Sequence, residues 1–167
     1  MQLSFNVTSL LISTFLTGLT AGLCFTWTNA VTPGIGRLDN LGFLQAFQAM
    51  NRAIINPTFL IVFMGPFFVH IANIYLFRTA PTNLLWIIIA AAILYIGGLV
   101  IVTIIGNVPL NEILDKVDLN QASPEELKNL RNQFEGKWNQ FHLIRTITTS
   151  ISFMLLLVGL LVHSKHI

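Results

Sequence analysis

The sequence predicts an all-α membrane protein: a four-helix transmembrane bundle, with an amphipathic helix between spans one and two and a helical extension before span four. Three observations predict it. Hydrophobic residues make up 54% of the 167 residues and charged residues only 10%, against about 25% charged in a soluble domain; the mean hydropathy is +0.72. Four apolar stretches approach the roughly 20 residues that a helix needs to cross a bilayer. Most charges gather in one segment, Glu112 to Lys137. One soluble core does not absorb this much apolar sequence, so the excess faces lipid. The length suits a single integral domain over residues 1–167.

The first span is expected from about Val7 to Thr28. No lysine or arginine precedes Arg37, so the basic flank of a cleaved signal peptide is missing and a retained span is expected. Asn6-Val7-Thr8 fits a glycosylation pattern that arises often by chance. Gly18-x-x-x-Gly22, with Thr14 one step earlier, lets a second helix approach closely, within the bundle or in a homo-oligomer. Cys24 is the only cysteine, which rules out an internal disulfide and is read as an inert buried thiol.

A polar connection runs from Asn29 to Asn56, and Pro33-Gly34-Ile35-Gly36 is expected to break the helix. Asp39 or Asn40 then caps an amphipathic piece, Leu41 to Ile55. Its Phe43, Phe47 and Met50 fall at helical spacing, so the piece is expected along the membrane interface. Pro57, at a tolerated first-turn position, opens the second span, which runs to about Phe77. Arg78 to Asn83 is a tight turn. The third span, about Leu84 to Ile105, holds no charge, and its Gly97-Gly98 pair implies close helix contact. Gly106 to Asn111 is expected as a connection. Ser123-Pro124-Glu125-Glu126 then starts a helix, with Ser123 as cap and Glu126 completing a capping box. That helix can continue into the fourth span, Asn139 to Val162.

With four spans, connections one and three share a face. They hold Arg37, Arg52, Lys116, Lys128, Arg131, Lys137 and Arg145, against Arg78 and Lys165 on the other side. This favours cytoplasmic connections and outward termini, although the third connection also carries six acids.

Polar residues crowd toward the connection face: Asn29, Asn51, Asn56, Asn107, Asn111, Trp138, His142 and Arg145. Trp138, His142, Arg145 and Thr149, spaced by four, three and four, form one stripe of a helix. An arginine inside a span is costly and marks a functional site by default. The plainer alternative is that Arg145 snorkels to the headgroups while Trp138 anchors at the interface. His142 can act as a base near neutral pH. His70 lies about 20 Å along its own span and His142 about 5 Å into its span, so the two sit at different depths and share no metal. His70, His163 and His166 can meet near the opposite face, but with no defining ligand spacing. There is no Walker loop, dinucleotide glycine fingerprint or CxxC, and intramembrane carboxylates are absent. The net charge of +2 gives no argument for nucleic acid.

Three segments resemble the DUF1772, or anthrone oxygenase-like, family of small four-span membrane proteins. They are Ala21-Gly22-Leu23-Cys24-Phe25 running to Asn29 and Pro33; Met50-Asn51-Arg52 followed by Asn56-Pro57-Thr58-Phe59; and Asn107-Val108-Pro109-Leu110-Asn111 paired with Trp138-Asn139-Gln140-Phe141-His142-Leu143-Ile144-Arg145. The resemblance implies a four-helix membrane fold more strongly than it implies function. It also implies, for some relatives, oxygenation of an anthrone without flavin, haem or metal, so no cofactor is expected. In that reading His142 is the base, and Arg145, Asn111 and Asn51 hold phenolate oxygens. Trp138, Trp27 and Phe141 line the pocket, with Asn29 and Asn107 beside it. The partners are then the bilayer, a lipophilic small molecule and dioxygen. The competing reading is a non-catalytic membrane protein that binds a lipid, a small hydrophobic ligand or a partner subunit. A small transporter is a third, disfavoured by the apolar third span.

Overall fold

A computed structural model describes residues 4–164 as five helices joined by short loops. Four are long and apolar enough to cross a membrane: α1 (Phe5–Ile35), α3 (Pro57–Leu76), α4 (Thr82–Asp115) and α5 (Pro124–Ser164). The fifth, α2 (Asn40–Ile54), joins the first two of them. In space α1 packs on α3, α3 on α4, α4 on α5, and α5 back on α1, an up-and-down bundle that puts Phe5 and Ser164 on one face. This is an integral, multi-pass membrane protein. Its outer surface is rich in exposed Ile, Leu and Phe, the side chains that lipid rather than water solvates.

The helices run past the bilayer at the connection face. At 1.5 Å per residue the 41-residue α5 is about 60 Å long, twice the roughly 30 Å hydrocarbon thickness. The capping box is formed: the Ser123 backbone N–H and hydroxyl both donate to Glu126 Oε2, each at 2.7 Å, and the Glu126 N–H returns to Ser123 Oγ at 3.3 Å.

The helix does end within Pro33-Gly34-Ile35-Gly36, but at Gly36 and not at the proline, which is still helical. The expected connection at Gly106 to Asn111 is not there, and that segment is helical. Each proline follows a wide π turn, Trp27–Val31 before Pro33 and Thr103–Asn107 before Pro109. The backbone N–H of Thr32 reaches back to the Trp27 carbonyl, and that of Val108 to the Thr103 carbonyl. The extra residue in the turn removes the carbonyl that a proline ring would otherwise strike.

A second departure concerns α2. Asp39 caps it as expected, accepting from the Gly42 N–H at 2.8 Å. Its apolar face, however, does not lie on lipid. Phe43, Leu44 and Phe47 are buried with Leu114, Leu119, Leu127, Phe134 and Trp138 in a core built on the protruding ends of α4 and α5. Arg131 ties the end of α1 to this layer: it donates to the carbonyls of Gly36 and Leu38, each at 2.8 Å, pairs with Glu135 at 2.7 Å, and lies over the Phe43 ring.

The glycines divide by role. A Cβ at Gly18 would strike Phe153 of α5, one at Gly98 would strike Thr148, and one at Gly106 would overlap the Phe141 ring. Gly22 and Gly97 face open space. Gly18 therefore serves contact inside the bundle, and only Gly98 of the glycine pair is a packing requirement.

Candidate functional site

Where the spans leave the membrane core at the connection face, α1, α2, α4 and α5 enclose an aromatic layer. Trp138 is 4% exposed. Its ring stacks on His142 (centroids 4.8 Å apart, planes at 17°) and meets Phe47 edge-on at 4.8 Å and Trp27 at 5.6 Å. Its indole N–H donates to Asn111 Oδ1 at 2.8 Å, and its backbone carbonyl accepts from Asn107 Nδ2 at 3.2 Å. Both asparagines sit where the chain winds on through Pro109, so the uninterrupted α4 is what brings them to Trp138.

Arg145 lies one turn beyond His142, inside this layer and 9% exposed. It does not snorkel, and Trp138 is not an interfacial anchor. Its Nη2 donates to His142 Nδ1, its Nη1 to Thr103 Oγ1 at 3.3 Å, and its guanidinium carbon stands 5.3 Å from the Trp138 ring centre. A guanidinium only donates, so Nδ1 must accept and the imidazole proton sits on Nε2. That nitrogen donates to the Cys24 backbone carbonyl at 3.0 Å, which also accepts from Thr146 Oγ1 at 3.2 Å.

Among the described residues the ion pairs are Arg52–Asp115 and Arg131–Glu135, both in the extramembrane layer. No carboxylate balances Arg145. Its Nε, the Nδ2 of Asn51 and the Oδ1 of Asn107 are buried without a protein partner. Asn51 follows Phe47 by one helical turn, on the face of α2 turned toward the aromatic layer.

Of the residues expected here, His142, Arg145, Trp138, Trp27, Asn107 and Asn111 come together. Phe141 is half-buried against Gly106 and braces α4 on α5. Asn29, expected beside the pocket, is exposed on the outer side of its π turn. Thr103, Thr146, Phe47 and the Cys24 carbonyl were not foreseen. Thr103, with Tyr95 one of two hydroxyl side chains in the oily third span, was a legible signal; a backbone acceptor leaves none. Two open grooves of about 350 and 330 Å³ lie in the extramembrane layer, the first lined by Gln45, Gln48, Arg52 and Asp115, the second by Val117, Gln121 and Leu127. Neither is lined by His142 or Arg145.

His163 packs on Phe77 and His70 on Tyr95, and among the described residues no three potential metal ligands converge; His166 lies outside them.

The anthrone oxygenase family matches residues 45–155, which span most of α2, all of α3 and α4, and most of α5. The chain belongs to that family. Comparison with curated proteins and with solved structures gives no match. Within the family match lie Asn51, Asn107, Asn111, Trp138, His142 and Arg145. Trp27 and the Cys24 carbonyl, which complete the layer, come from α1 outside it.

Proposed function

We propose that the chain binds a lipophilic polycyclic phenol at the Arg145 cluster and oxygenates it with dioxygen, converting an anthrone to a quinone. The observation that carries this reading is Arg145 itself: a cation 9% exposed, without a carboxylate, with Nε still lacking an acceptor. An unbalanced buried charge is expensive, and a site that retains one is suited to an anion that arrives during function. The Trp27, Trp138 and Phe47 rings supply flat apolar walls that suit a fused aromatic ligand.

The chemistry follows from these groups. The ligand's oxygen, as it becomes anionic, takes donors from Arg145 and draws Nη2 away from His142. Nδ1 is then free to accept a proton from the ligand's methylene, while Nε2–H stays on the Cys24 carbonyl and keeps the ring oriented. The carbanion's electron pair reduces dioxygen as the carbon–oxygen bond forms, and the peroxide takes a proton from His142. Loss of the second C–H proton to His142 forms the carbonyl and breaks the O–O bond. The departing hydroxide collects that proton and leaves as water. Arg145 stabilises the anion throughout. Asn111 holds Trp138 in place, and Asn51 offers a further donor.

Oxygen uptake and quinone absorbance, measured with an anthrone and the protein in nanodiscs, test this. One dioxygen should be consumed per quinone formed, and His142→Ala and Arg145→Met should lose the rate while keeping their helicity. Quinone formation no faster than in empty nanodiscs, or full activity in both variants, overturns it. A second reading is non-catalytic capture of a lipophilic anion. It is favoured by the engagement of both His142 ring nitrogens, which leaves no free base until Arg145 moves. Quenching of Trp27 and Trp138 fluorescence by an anthrone, without turnover, would select it.

A further inference from the structure

The terminal half of the bundle contains a second polar cluster that the anion site does not use. Ser13 of α1 and His70 and Asn73 of α3 are each 0% exposed. Each has a polar side-chain atom with no protein partner: Ser13 Oγ, His70 Nδ1 and Asn73 Nδ2. The bonds that Asn73 and His70 make to α1 fall on either side of Ser13. Ser9 Oγ donates to Asn73 Oδ1 at 2.7 Å, and Thr17 Oγ1 bonds His70 Nε2 at 3.3 Å. These two bonds between α1 and α3 bracket Ser13, which lies one turn from Ser9 and one from Thr17 on the same stripe of α1. The two helices run antiparallel, so Ser13, about 6 Å along the axis from Ser9, stands level with the Asn73–His70 turn.

Three unmet polar atoms in a membrane core are costly if left bare. A buried water makes about three hydrogen bonds to such groups. No charged side chain occurs on α1 or α3 to call for an ion. We propose that Ser13, His70 and Asn73 form an internal water site through which His70 exchanges protons with the terminal face. Asn6 and Ser9 lead out toward that face, with Asn6 Nδ2 on the Leu76 carbonyl at 3.5 Å. Inward, the His70 ring packs on Tyr95 with centroids 5.1 Å apart, and the Tyr95 hydroxyl meets Thr20 Oγ1 at 3.3 Å. Cys24 and Tyr95, which share an apolar cluster, are the titratable neighbours on that side.

The test does not depend on any oxygenase activity. The full chain, with labelled histidine, is placed in lipid nanodiscs and studied by solid-state NMR. The His70 ring should show a water cross-peak at Nδ1 and exchange with bulk D2O. His142, with both ring nitrogens bonded to protein, is the internal control and should show no water contact. Ser13→Val with Asn73→Leu should abolish the His70 cross-peak and leave the His142 signals in place. Should that pair misfold, Ser13→Ala, which adds no volume, should weaken the cross-peak instead. A wild-type His70 without water contact, or a cross-peak unchanged in these variants, overturns the proposal.

Discussion

Arg145 donates to Nδ1 of His142, one turn earlier on the same helix. This contact sets the tautomer of the imidazole, turns its Nε2–H to the Cys24 carbonyl on α1, and holds a cation against a base that it keeps occupied. In the proposed reaction the pair acts as a latch: a ligand anion that attracts the guanidinium would expose the base at the moment its own proton has to leave.

A buried cation without a counter-charge should cost stability that function recovers. Arg145→Met, similar in length and apolar, is expected to melt in detergent at a temperature no lower than wild type while losing oxygen uptake. A fall of more than about 4 °C, roughly 1–2 kcal/mol for a chain of this size, would show that the guanidinium is chiefly a structural tie.

Glycine tolerance should follow what each glycine touches. Gly106→Ala drives a methyl group into the Phe141 ring and should cost about 1–3 kcal/mol. Gly98→Ala, against Thr148, should behave alike. Gly97→Ala and Gly22→Ala meet open space and should be neutral or slightly stabilising. Thermal melts of the four variants check this ordering.

Pro66 inside α3 has no N–H, so the Val62 carbonyl one turn earlier lacks its helical donor. Thr20 Oγ1 of α1 supplies one at 2.9 Å. Thr20→Val keeps the shape and removes the donor, and should destabilise by about 1–3 kcal/mol. In a Pro66→Ala background, where the backbone N–H returns, the same change should cost less. A double-mutant cycle reads the difference.

The capping box makes the start of α5 sensitive to acid. Ser123 holds the Glu126 carboxyl below its usual range by donating to it from backbone N–H and hydroxyl. A depressed carboxyl contributes stability above its unfolded pKa and loses it as pH falls through the folded value. Hydrogen exchange over residues 124–130 should therefore speed up as pH drops through the acidic carboxylate range, after correction for intrinsic exchange. Glu126→Gln should remove that dependence.

The basic bias of the connections predicts that they face the cytoplasm. In a Cys24→Ala background, Lys128→Cys, at an exposed position, should react with a membrane-impermeant maleimide only when the cytoplasmic face is open. Labelling in intact cells would reverse the assignment.

Four spans, the capped start of α5 and the Trp138, His142, Arg145 stripe were legible from sequence, because apolar length and helical spacing are local properties. Three decisions belonged to the tertiary structure. Pro33 and Pro109 read as stops, since proline rules assume a regular α turn; the π turns ahead of them appear only once backbone geometry is known. The apolar face of α2 reads as lipid-seeking, since its periodicity does not say what covers it; Phe134 and Leu114, remote in sequence, do. And a sequence names Arg145 and His142 without saying whether the cation reaches the headgroups or turns inward. That choice was made by a hydroxyl on α4 and a backbone carbonyl on α1, partners that meet Arg145 and His142 only when four helices close on one another.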